Sequence, residues 1–167
     1  GFICNILLDI LDIQRNILSY ACLLKEAYGF KSKLHVFTYM ISFPIRLCRK
    51  IFKYKLHRKY HGNVFIKNCD GYFFCGDSFI SSRIVTTSSE RLLRNYFEIE
   101  KGDFIDIGAH IGKYTIPMAK KLIGKGKVVA IEPASFNFDL LTKNVILNNL
   151  DNVILQSVAC SDQEGIM

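Results

Sequence analysis

The chain has 167 residues, half of them hydrophobic, and a net charge of +7. That length holds one ordinary domain, or a small domain with an appendage, and the apolar share is enough to build a core. Six cysteines without CxxC spacing, and no His close to a Cys pair, argue against a structural metal and for free thiols in a reducing cytosol.

The first segment reads as helical. Phe2, Ile3, Ile6, Leu7, Ile10, Ile13, Ile17, Leu18, Ala21 and Leu24 recur at threes and fours, the stripe of an amphipathic helix. Asp9, Asp12 and Arg15 interrupt it, which speaks against a membrane span. Residues 34–45 carry no acid, Lys or Arg but are too few to cross a bilayer, which takes about 20 residues. Pro44 is expected to break this run.

Between Glu26 and Asp70 there is no acid, while ten Lys and Arg fall there, so the rest of the chain sums to −3. Such a stretch attracts phosphates. The bland reading is a solvated basic helix packed through Ile51, Phe52, Tyr54 and Leu56. The sharper reading is an anionic membrane surface bound through residues 31–61. Nucleic acid is not expected as a partner.

A boundary is expected at His61-Gly62, giving a helical basic extension over residues 1–62 and a second part over residues 63–167. "NVFIKNCDGYFFCG" predicts two short strands around Asp70-Gly71. "TSSE" fits a capping box, with Thr87 as N-cap and Glu90 at the third helical position of a helix through Leu92, Leu93 and Tyr96.

From Phe104 the order is strand, helix, strand, helix, strand. The strands are Phe104 to Ile107, "KVVAIE" and "NVILQSVA"; the helices run from Tyr114 to Leu122 and from Ser135 to Asn148. Continuous apolar strands alternating with helices predict a parallel sheet covered on both faces. Ligands bind beyond the C-terminal ends of such strands.

At the first of those ends stands "DIGAHIG". Gly108 lets the backbone turn sharply, and Gly112 lets the next helix approach. The helix N-terminus is expected to offer free N–H groups to an anion. Asp106 either accepts from a cationic amine or holds the loop by hydrogen bonds. A ligand with both a carboxylate and an amine suits these features better than a pyrophosphate, which an adjacent acid disfavours. His110 stands where the dinucleotide fingerprint has its middle glycine. Glu132, 20 residues beyond Gly112, is placed to accept two hydrogen bonds from ribose hydroxyls; its plain alternative is a solvated turn residue.

"FIDIGAHIGKYTIPMAKK", "VVAIEPASFNFDLLTKNVILNNL" and "VACSDQEG" together resemble the FkbM-type S-adenosylmethionine-dependent methyltransferases. The resemblance covers about Asn63 to Met167. It implies an α/β, Rossmann-like class I methyltransferase fold with S-adenosylmethionine as cofactor. It also implies methyl transfer to an oxygen of a sugar or natural-product scaffold, so the acceptor is a small molecule or glycan.

By the same resemblance Asp106, Gly108 and Gly112 shape the pocket for the methionine part, and Ala109 and His110 present their backbone. Glu132 holds the ribose, and Ser157 and Val158 lie near the adenine. Glu90, Tyr114 and Thr115 match the family, and each has a structural alternative; Asn144 and Asn148 are either family residues or surface and helix-end residues. No catalytic base is identified. The chain stops after the third strand of this fold, so it is expected to be an N-terminal portion, inactive alone. Two alternatives stay open: half of an NAD-binding oxidoreductase, and a non-enzymatic or membrane-surface interaction module.

Overall fold

The computed structural model describes residues 19–42, 62–87, 99–163 and 165. The chain forms two compact units, Gly1–Asn68 with Cys75–Ser89, and Cys69–Phe74 with Glu90–Met167. The boundary expected at His61-Gly62 falls inside the first of these.

In the first unit, residues 19–26 are helical, followed by α1 (Gly29–Ile41), β1 (Phe65–Lys67) and α2 (Phe79–Ile84). Tyr28 is extended and Gly29 takes φ +80°, so the two helical stretches are separated by a turn that glycine makes easily. The short α2 is an element that the apolar pattern does not predict. Its signal was Ser78, whose side chain accepts the N–H of Ser81 as an N-cap.

The core of this unit includes Leu23, Val36, Val64, Ile66 and Val85, with the Tyr39 and Phe79 rings stacked at 4.6 Å. Glu26 is buried among polar partners. Asn68 Nδ2 donates to it at 3.0 Å, Cys22 Sγ at 3.1 Å, and the Thr87 N–H and hydroxyl also donate to it. Four donors offset the cost of burying the carboxylate. Thr87, read from sequence as an N-cap, thus uses both donors on Glu26. Its expected partner Glu90, and the helix beyond, lie outside the described residues, as do the basic run from Arg46 to His61 and Pro44.

The second unit contains β2 (Tyr72–Phe74), β3 (Phe104–Ile107), α3 (Thr115–Lys121), β4 (Val128–Ile131), α4 (Ser135–Leu147) and β5 (Val153–Gln156). The order β3-β4-β5 is parallel, with Phe104 opposite Val128 and Val128 opposite Val153. Sequential parallel strands joined by helices form the first arm of a doubly wound sheet, so the fold is α/β and Rossmann-like.

The sheet has unequal faces. Asp106, Val128 and Ala130 are buried, while Ile105 and Ile107 are 61% and 67% exposed. The expected cover on both faces is therefore seen on one face only among the described residues. A simple reason lies in the strand order. Two crossovers stepping the same way, with the usual right hand, put both helices on the same side.

Asn144 of α4 and Asn148, the C-cap of that helix, act as a side-chain edge for β2. Asn144 Oδ1 accepts the Phe74 N–H at 2.6 Å and its Nδ2 donates to the Phe74 carbonyl at 3.2 Å. Asn148 does the same for Tyr72, at 3.0 and 2.7 Å. The match is geometric. Four helical residues rise about 6 Å, and two strand residues rise about 6.6 Å. The sequence left these two asparagines open between surface and family roles; packing assigns them to the strand.

Candidate cofactor site

The site lies where β3 and β4 end. β3 stops because Gly108 takes φ +78°, turning the chain. The N–H groups of Gly108 and Ala109 both donate to the Ile131 carbonyl, at 2.9 and 3.0 Å, which ties the loop to the end of β4. A Cβ on Gly108 would meet nothing within 4 Å, so its demand is conformational and the space above it is open. At Gly112 both demands act: φ is +96°, and a Cβ would lie 3.0 Å from Leu141 Cδ1 and 3.2 Å from Ile116 Cγ1. That glycine lets the loop lie directly against α3 and α4.

Neither following helix has a capping side chain at its own N-cap, Tyr114 for α3 and Ala134 for α4. The strand-end acids serve instead. Thr115 Oγ1 donates to Asp106 Oδ2 at 2.5 Å, and the Thr115 N–H bonds the same carboxylate. Glu132 Oε1 accepts from the Ala134 N–H at 3.1 Å and from Asn137 Nδ2 at 3.3 Å. Its Oε2 accepts the His110 N–H at 2.8 Å. Both acids are more than nine-tenths buried, so Glu132 is not the solvated turn residue that was its plain alternative.

These bonds revise one expectation. The N–H groups of Gly108, Ala109, His110 and Gly112 all find acceptors in the chain. The loop therefore does not aim them at an anion, and the electrostatics come from two carboxylates. Burial, and next the bonds to Thr115 and the nearby Glu132, act on Asp106, with a net push above the usual carboxylate range. Burial pushes the His110 imidazole down, and the Glu132 charge partly opposes it. His110 has φ +51°, rare outside glycine, and its buried Nδ1 has no partner among the described residues.

The structure brings together Asp106, Gly108, Ala109, His110, Gly112 and Glu132. It does not bring Ser157 and Val158 to them by any described bond. β5 ends at Gln156, both residues are exposed, and Val158 is 51% so. Thr115 and Asn137 hold the two acids. Their sequence signal was weak, since a polar residue in the first turn of a helix is common. Among the described residues no group of His, Cys, Asp and Glu is placed to hold a metal ion, and no helix is long and apolar enough to cross a membrane.

Fold and loop together define a Rossmann-like α/β unit with an acid at each of two adjacent strand ends. No protein-family model matches the chain, and no curated protein matches it. Among solved structures it is similar to TYW2 of M. jannaschii in complex with AdoMet, at 25% identity over 64% of this chain and 45% of that one, TM-score 0.47. It is similar to a tRNA m1G37 methyltransferase of M. jannaschii at 18% identity over 59% and 30%, TM-score 0.44. A tRNA (uracil-54, C5)-methyltransferase of Pyrococcus abyssi in complex with S-adenosyl-L-homocysteine follows at 20% over 62% and 25%, TM-score 0.39. The chain spans less than half the length of each. With these TM-scores below 0.5, the fold class rests on strand order and connections. The expectation that nucleic acid is not a partner is corrected by these likenesses, since two of the three proteins are tRNA methyltransferases.

Proposed function

We propose that the chain carries the cofactor-binding part of an S-adenosylmethionine-dependent methyltransferase of FkbM type. The supporting observation is the pair Asp106 and Glu132, two buried carboxylates at adjacent strand ends. Glu132 suits a ribose hydroxyl of either cofactor, whereas Asp106, beside the glycine turn, favours a cationic centre and repels a pyrophosphate, which disfavours the NAD reading. A carboxylate offers about four acceptor positions. Three on Glu132 are taken by His110, Ala134 and Asn137. That leaves room for one ribose hydroxyl rather than the two expected from sequence.

When bound, S-adenosylmethionine supplies an electrophilic methyl group. Asp106 would hold the ligand's cationic end and Glu132 its ribose, with the open space above Gly108 left for it. The FkbM resemblance favours a sugar or natural-product hydroxyl as acceptor. A nucleic-acid acceptor is a second reading, favoured by ten bases without an acid between Glu26 and Asp70. Calorimetric titration with S-adenosylmethionine and with NAD tests the cofactor. Saturable binding of the first alone supports the proposal; binding of NAD alone overturns it. Incubation with labelled cofactor and either glycan or tRNA pools separates the acceptors.

A further inference from the structure

We propose that Thr115 is a positioning residue of this site, its hydroxyl holding the Asp106 carboxylate in the orientation that receives the ligand's cationic end. The inference rests on the cofactor reading above. Thr115 is fully buried at the start of α3, and Asp106 is buried at the end of β3. The 2.5 Å contact between them is in the range of charge-assisted O–H···O⁻ bonds. The Thr115 N–H bonds the same carboxylate, so one residue supplies two donors.

The neighbours of Asp106 make that hydroxyl matter. Burial acts most strongly to favour a protonated Asp106, and Glu132, a like charge just beyond β4, acts in the same direction. The Thr115 bonds oppose them. In the connecting loop, His110 bonds Glu132 through its backbone, and the Lys113 ammonium stands over the Tyr114 ring, 5.4 Å from its centre. A protonated Asp106 would present a neutral acid to a cationic ligand. Without the Thr115 hydroxyl, one of the two bonds that favour the ionised carboxylate is lost and the balance moves further toward the protonated acid. Thr115→Val removes the hydroxyl but keeps volume and the backbone N–H; Thr115→Ser keeps the hydroxyl.

The test is calorimetric binding of S-adenosylmethionine by the full chain and by Thr115→Val, Thr115→Ser, Asp106→Asn, Asp106→Asn/Thr115→Val and Glu132→Ala, between about pH 5.5 and 8.5. Thr115→Val is expected to bind roughly tenfold more weakly at pH 7, the scale of one charge-assisted hydrogen bond. Its affinity should recover as pH rises, and Thr115→Ser should follow the parent. Thr115→Val should add no further loss in the Asp106→Asn background, a comparison that does not need the pH series. Parental affinity and pH profile in Thr115→Val would overturn the inference, as would equal losses at every pH in both the Val and Ser variants. If Glu132→Ala loses affinity while Thr115→Val does not, only this inference fails. If the parent chain itself binds no S-adenosylmethionine, the cofactor reading falls and takes the inference with it.

Discussion

The backbone N–H of His110 donates to Glu132 Oε2 at 2.8 Å, so a residue in the left-handed region, with φ +51°, is held by an acid at the end of the neighbouring strand. The two ends of one βαβ unit are thereby locked together through the loop that starts at Gly108. The bond gives Glu132 two tasks, holding the loop and facing the ribose, and the tasks separate experimentally.

Glu132→Ala should weaken S-adenosylmethionine binding by about 1 to 3 kcal/mol and lower stability on a similar scale, since buried donors lose their acceptor. Glu132→Gln keeps one acceptor oxygen but sets an NH2 against the donors of the other, and should recover only part of the stability. Calorimetry and thermal melting read the two effects. Unchanged affinity in Glu132→Ala would remove this residue from the ribose site.

Glycine substitutions should rank by their surroundings. Gly108→Ala meets open space and should cost only its left-handed backbone, about 1 to 2 kcal/mol. Gly112→Ala adds contacts with Leu141 and Ile116, and should cost a further ~1 to 3 kcal/mol. Gly108→Val should lose cofactor binding more than stability, because its side chain enters the space above the loop. Denaturant midpoints in the reverse order would contradict this assignment.

Asn144→Ala should be the most damaging change in α4. It removes bonds to the Phe74 N–H, the Phe74 carbonyl and the Ile111 carbonyl, costing on the order of 3 kcal/mol. Asn148→Ala, at a half-buried position, should cost about 1 kcal/mol. Hydrogen exchange at the Phe74 amide should accelerate in the first variant and remain near parental in the second.

Asp106 and His110 give stability opposite dependences on pH. Asp106 titrates above the usual carboxylate range when folded, so the folded state holds more protons. Its contribution to stability should fall as pH rises from about 3.9 through the folded value. His110 is lowered on folding; its contribution is complete above about pH 6.5 and is lost as pH falls from there through the folded value. Urea midpoints across this range should lose the first slope in Asp106→Asn and the second in His110→Asn. Persistence of either slope in its variant would assign it to another group.

The sequence by itself determined the local elements of the second unit and where its candidate site is sought. Apolar runs alternating with helical periods set β3, β4 and β5; β3 and β4 end close to where the pattern stops, while β5 ends at Gln156, short of the expected "NVILQSVA". Two glycines within "DIGAHIG" and an acid at the end of each of β3 and β4 mark the loop, because left-handed turns and buried carboxylates have few other uses at a strand end. Only the tertiary structure decided what those acids bind. Asp106 and Glu132 take donors from Thr115, His110, Ala134 and Asn137, pairings that depend on strand register and helix approach and leave no fixed spacing in the chain. It also decided that Asn144 and Asn148 edge β2 across 70 and 76 residues, that Glu26 gathers donors from Asn68 and Thr87, and that one sheet face holds Ile105 and Ile107 in the open. Side-chain hydrogen bonds between distant segments follow from packing, whereas periodicity records only which face of each element is apolar.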